Sequence, residues 1–160
     1  MNFRQFMEQD DQKAEQATQA ARKMIASVQG GGYKDLADFY VMEYTNEELK
    51  DLGEEPGDWV AQYVKGSVDS PRGTTVLVNT SKHSTVNEMV DTILHEVGHA
   101  LWELLDQVSQ QAWIKALQGL LSHRWGPEEQ FADDFMYLCT GQTQFMQNEE
   151  LFIQLTQSGS

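Results

Sequence analysis

The stretch Thr85-Val86-Asn87-Glu88-Met89-Val90-Asp91-Thr92-Ile93-Leu94-His95-Glu96-Val97-Gly98-His99 decides the fold of this chain. Thr85 and Glu88 have the spacing of a capping box in front of an apolar run. A helix therefore starts at Val86, with Thr85 as N-cap and Glu88 reaching back. Val86, Met89, Val90, Ile93, Leu94, Val97, Leu101, Leu104 and Leu105 recur at helical spacing and make the buried stripe. Asp91, Thr92, His95, Glu96, His99 and Glu103 are left on the other side. Residues i and i+4 lie one above the other on a helix, so His95 and His99 can each offer one nitrogen to a single zinc ion. Glu96 sits beside the metal and free of it, where a carboxylate can take a proton from an activated water. Such a site keeps three protein ligands and leaves the fourth position open. Gly98 lowers helix propensity relative to alanine by about 1 kcal/mol, so a small residue there points to close approach of another element.

The third ligand is sought downstream, in Gly126-Pro127-Glu128-Glu129-Gln130-Phe131-Ala132-Asp133-Asp134-Phe135. Proline suits a first helical position, and early glutamates suit the helix dipole. Phe131, Ala132, Phe135, Leu138 and Cys139 form one stripe; Glu129, Asp133 and Tyr137 run at four-residue intervals along another. Glu129 is the expected ligand, because Asp133 one turn later can hold a ligand histidine through its second ring nitrogen. Glu128, with Ala132 in that place, is the alternative.

HExxH followed by ExxxD resembles the gluzincin branch of the zincin metallopeptidases. Glu129 to Phe135 resembles the ligand helix of anthrax lethal-factor-type peptidases, and the small ImmA/IrrE-like peptidases carry a similar Glu-x-x-Ala-Asn-x-Phe pattern. The resemblance spans Thr74 to Thr140. The metzincin pattern is excluded, since it needs Gly and His where Trp102 and Leu105 stand. The resemblance implies an α+β zincin-like domain, mostly helical, with a small antiparallel sheet packed on the HExxH helix. It implies a zinc-dependent endopeptidase, with Zn2+ on His95, His99 and Glu129, Asp133 orienting a ligand and Glu96 as general base. It also implies that the strand before the helix, Thr74 to Thr80, lines the cleft and pairs with an extended substrate. The lethal-factor branch has a tyrosine shortly before its ligand glutamate; here the stretch is Ser122-His123-Arg124-Trp125-Gly126. His123 is the candidate catalytic donor to the oxyanion, Arg124 and Tyr137 are also eligible, and the choice stays open.

Around this centre the chain reads as a small enzyme. Its 160 residues suit one domain with a real core. No apolar run is long enough to span a membrane, no signal-peptide core follows Met1, and Cys139 is the only cysteine. A cytoplasmic location is expected, with signal-independent export as the alternative and Cys139 as a core residue. The balance of 11 Lys plus Arg against 25 Asp plus Glu leaves no basic patch for nucleic acid. The expected partner is a protein or peptide substrate, steered if basic by the acidic surface, and a monomer is favoured.

Residues 2–28 read as one helix with a stripe of Phe3, Met7, Ala14, Ala17, Ala21, Met24 and Val28, packing on its own domain. Gly30-Gly31-Gly32 ends it as a hinge, which divides the chain into 1–32 and 33–157. Residues 34–58 carry weak helical signals and an acidic turn at 53–58. Trp59–Val64 and Thr74–Asn79 are β-branched and aromatic, and form an antiparallel hairpin across a turn from Val68 to Gly73. Val108 to Leu121 forms another amphipathic helix. The tail offers one apolar patch, Leu151-Phe152-Ile153, before a frayed Ser158-Gly159-Ser160. Two other functions fit the motif: a zinc-binding regulator without turnover, and a zinc amidase acting on a non-peptide amide.

Overall fold

The computed structural model describes residues 3–28, 32–65, 73–118 and 126–157, with side chains from Gln12 onward. The elements are helix α1 (Phe3–Ser27), strand β1 (Phe39–Tyr44), helix α2 (Asn46–Asp51), strands β2 (Ala61–Lys65) and β3 (Thr74–Asn79), then helices α3 (Val86–Leu104), α4 (Gln107–Leu117), α5 (Pro127–Cys139) and α6 (Glu149–Gln157).

The arrangement is α+β and mostly helical, with a sheet of order β1-β3-β2. The expected antiparallel sheet holds only for the hairpin, Ala61 to Lys65 opposite Val78 to Thr74. β1 lies parallel to β3, Phe39 beside Thr74 and Tyr44 beside Asn79, so the sheet is mixed. A parallel neighbour needs a crossover, and α2 with the acidic turn supplies it. The stretch read as weakly helical thus contains a strand. Its helical part is short, and it owns a full capping box: Thr45 Oγ1 accepts from the Glu48 N–H, and the Glu48 carboxylate accepts from the Thr45 N–H.

α3 starts where its sequence places it, but the cap differs in detail. Thr85 Oγ1 accepts from the Glu88 N–H at 3.1 Å, while the Glu88 carboxylate reaches one residue further, to the Ser84 N–H at 2.8 Å. Met89, Ile93, Leu94 and Val97 are fully buried against Val76, Val78 and Phe39 of the sheet. Ala14, Ala17, Ala21 and Ile25 of α1 join the same core, and the small side chains of the three alanines permit close approach to α3. Ile25 lies deeper than the Met24 and Val28 read from the stripe. Phe3 and Met7 have no described side chains, and Gly30 and Gly31, Leu120 and Leu121, most of the Val68–Gly73 turn and Ser158–Ser160 lie outside the described residues.

α4 and α5 are joined through an aromatic cluster. Trp113 stands edge-on to Phe131 at 5.3 Å and donates its indole N–H to the Pro127 carbonyl at 2.9 Å. Phe152 stacks on Phe131 at 4.6 Å. The segment read as a tail with an apolar patch is therefore a packed helix, α6. Asn148 caps it, its Oδ1 accepting from the Leu151 N–H, and buried Asp134 holds the turn before it by accepting from the N–H groups of Gln147 and Asn148. Cys139 packs against this core, and burial pushes its thiol up to about 12. No helix among the described residues is long and apolar enough to cross a membrane.

Candidate metal centre

Two helices build the site. On α3, His95, Glu96 and His99 face away from the sheet core; on α5, Glu128, Glu129 and Asp133 face them. The spacing between the helices is set by Gly98. A Cβ there would stand 2.8 Å from Ala132 Cα and 2.9 Å from Ala132 O, so only glycine lets the backbones come this close. Because they do, short carboxylate side chains on α5 reach the imidazoles on α3.

Glu129 Oε2 lies 2.9 Å from His95 Nε2, and Glu129 Oε1 lies 3.1 Å from His99 Nε2. The two Nε2 atoms are 3.2 Å apart. Asp133 accepts from His95 Nδ1 at 2.8 Å, and Glu128 accepts from His99 Nδ1 at 3.0 Å. Each ring thus has a carboxylate behind it, which places the proton on Nδ1 and leaves the Nε2 lone pair facing the other ring. Two lone pairs and a carboxylate then converge on one point. Without a cation they repel; with one they satisfy each other. Donors on a tetrahedral ion with bonds of about 2.0–2.1 Å stand about 3.3 Å apart, close to the 3.2 Å between the two Nε2 atoms; the Glu129 carboxylate meets them through its two different oxygens. His95, His99 and Glu129 could hold a metal ion, and they are the one such group among the described residues.

α5 itself explains why its acids are available. Gly126 provides no side-chain cap, Pro127 stands in the first turn, and Glu128 and Glu129 follow in it. Their carboxylates go to the imidazoles. The sequence named Glu128 only as an alternative ligand; it stands instead behind His99, and its place next to Glu129 was the available signal.

Glu96 makes no hydrogen bond to the imidazoles or to Glu129. It lines the groove on both sides of the convergence point: one half with Val60, Thr92 and Met136, the other with Tyr63, Glu103 and Glu128. Burial raises its carboxyl pKa; His95 and His99 oppose this, Glu129 adds to it, and the Tyr63 backbone N–H lowers it. Burial lowers the His95 pKa, but the Asp133 hydrogen bond and the charges of Asp133, Glu96 and Glu129 outweigh it and carry the ring upward.

The strand along the groove is β2, and this corrects the expectation for Thr74 to Thr80. β3 is the central strand, its backbone paired on both sides. Val60 O accepts from the Asn79 N–H, so by antiparallel alternation Gln62 and Val64 also face β3, and Ala61 and Tyr63 turn their backbone groups outward. Tyr63, not singled out from sequence, donates its phenol to Glu103 at 3.0 Å and ties this edge to α3. Its inward alternation on β2 and the position of Glu103 one turn beyond His99 were the signals for the pair. Tyr137 does not line the groove; it packs on Phe145 at 5.7 Å, beyond Asp133. His123 and Arg124 lie outside the described residues.

Compared with protein-family models, with curated proteins and with solved structures, the chain finds no match. The geometry of the centre is what speaks for its chemistry.

Proposed function

We propose that this chain is a zinc-dependent endopeptidase. One observation carries the reading: the Nε2 atoms of His95 and His99 stand 3.2 Å apart and each has an oxygen of the Glu129 carboxylate within 3.1 Å, with Glu96 beside this cluster and outside the donor set. Two imidazoles and one carboxylate with an open position is the donor set of hydrolytic zinc. Zinc held by His95, His99 and Glu129 would supply a Lewis acid for the scissile carbonyl and an activated water. Glu96 takes the proton from the attacking water and passes it to the leaving amine, a task suited to a carboxyl whose pKa burial has raised. Asp133 and Glu128 hold the two imidazoles in the tautomer and angle that binding requires.

The groove supports a peptide over a small amide. It continues on both sides of Glu96 and runs beside the outward backbone groups of Ala61 and the Tyr63 carbonyl, to which an extended chain can add as a further strand, while the Tyr63 N–H is taken by Glu96. Asp91, Glu103 and Glu128 line it, with no Lys or Arg among the described lining residues, so basic residues near the scissile bond suit it. The test is Glu96→Gln. The variant is expected to bind one equivalent of zinc as the wild type does, while cleavage of a peptide library falls by at least about 100-fold. Undiminished cleavage by Glu96→Gln, or no cleavage by zinc-loaded wild type, contradicts the reading.

A further inference from the structure

α1 and α3 cover one face of the sheet and leave the other to solvent. On the uncovered side Tyr40, Met42 and Val64 are 45, 48 and 37% exposed, and Leu52 at the end of α2 is 67% exposed. Scattered exposed apolar residues are ordinary, but a contiguous set on one face marks an interaction surface. Here the set deepens into a groove of about 480 Å³ lined by Tyr44, Leu49, Leu52, Trp59 and Leu77, with Glu54 and Glu55 in the same lining. The groove is held in shape from within the fold. Buried Asn79 donates to the Asn46 side chain at 2.8 Å and to the Trp59 carbonyl at 3.1 Å, fixing the start of α2 and the approach to β2. The Trp59 ring stands edge-on to Tyr44 at 6.5 Å.

The electrostatics select the occupant. Glu47, Asp51, Glu54, Glu55 and Asp58 are all exposed on the segment that borders the groove, with Lys50 as its one cation. A second copy of this chain fits poorly, because a two-fold contact sets the same rim against itself. An anionic lipid surface is repelled for the same reason. We propose that this groove docks a basic amphipathic helix of a partner protein, its apolar stripe on Tyr44, Leu52, Trp59 and Leu77 and its lysines or arginines against Glu54 and Glu55. The groove lies on the sheet face opposite α3 and shares only Gln62 with the lining of the metal centre, so its occupancy does not depend on hydrolysis.

The probe is a synthetic helix-forming peptide of leucine and lysine, with its leucine–glutamate counterpart as control, titrated into the zinc-loaded chain. Binding is followed by calorimetry and by amide chemical-shift mapping. The lysine peptide is expected to shift Tyr44, Leu52, Trp59 and Leu77, to weaken with added salt, and to bind at least about fivefold more weakly to Leu52→Ser and to Glu54→Gln/Glu55→Gln. Glu149→Gln/Glu150→Gln, which removes the same charge from exposed positions on α6, is expected to bind within about twofold of wild type. Equal weakening by the two double variants reduces the effect to net charge and overturns the proposal. So do shifts that map elsewhere, equal binding of the glutamate peptide, or a chain that self-associates through this face.

Discussion

The seam between α3 and α5 and the outer face of the sheet are opposites. At the seam, backbones meet so closely that a methyl group does not fit, and every acid facing the imidazoles has a partner. On the outer face, large apolar side chains stand in solvent with nothing described over them. The difference teaches where this chain tolerates change: geometry at the seam is dictated to within a bond length, and the outer face is constrained only by what docks there.

Substitutions sharpen that contrast. The largest effect is expected at Phe131, fully buried among Trp102, Trp113 and Phe152. Phe131→Ala should cost about 3–5 kcal/mol in urea unfolding. Gly98→Ala comes next and has an informative sign. Helix propensity alone favours alanine by about 1 kcal/mol, but the neighbouring atoms are Ala132 backbone and cannot swing away. A net loss of about 1–3 kcal/mol is expected, with weaker zinc binding as Glu129 retreats. A gain in stability would mean that the helices are not in contact there.

Smaller effects separate positioning from packing. Glu128→Gln should lower zinc affinity by about tenfold while leaving the unfolding midpoint in place, since Glu128 acts on His99 from an exposed position. Alkaline pH tests the groove wall. Burial first, and the Glu103 carboxylate second, push the Tyr63 phenol from 10.0 up to about 12. In that window the native chain keeps a proton that the unfolded chain has lost, so this stabilisation is full below pH 10 and disappears as pH rises toward 12. Unfolding of Tyr63→Phe should show a shallower alkaline decline. The least effect is expected on the outer face: Met42→Thr should stay within about 0.5 kcal/mol of wild type.

The same contrast explains what could be read in the sequence. α3 was legible because cap, stripe and motif agree along one continuous segment, and Gly98 announced a close neighbour without naming it. α5 was legible from Pro127 and its two stripes. β1 was not. Phe39 and Val41 point into the core, but Tyr40 and Met42 on the bare face are apolar too, so the alternation that marks a half-buried strand is absent. Its parallel pairing with β3 is a long-range choice that made β3 central and moved the groove edge to β2. α6 was missed although its cap is local, Asn148 Oδ1 accepting from the Leu151 N–H, because what seats it is distant: Asp134 holds the turn before it and Phe131 packs on Phe152. The partner of Glu88 escaped because the capping pattern does not distinguish Ser84 from Thr85 as its donor.

The most direct test is a crystal structure of the zinc-soaked protein with anomalous data at the zinc edge. If zinc binds as proposed, one strong peak per chain is expected, with His95 Nε2, His99 Nε2 and a Glu129 oxygen at about 2.0–2.2 Å and Asp133 and Glu128 still behind the imidazoles. A peak coordinated by other residues, or none between these two helices at saturating zinc, would contradict the proposal.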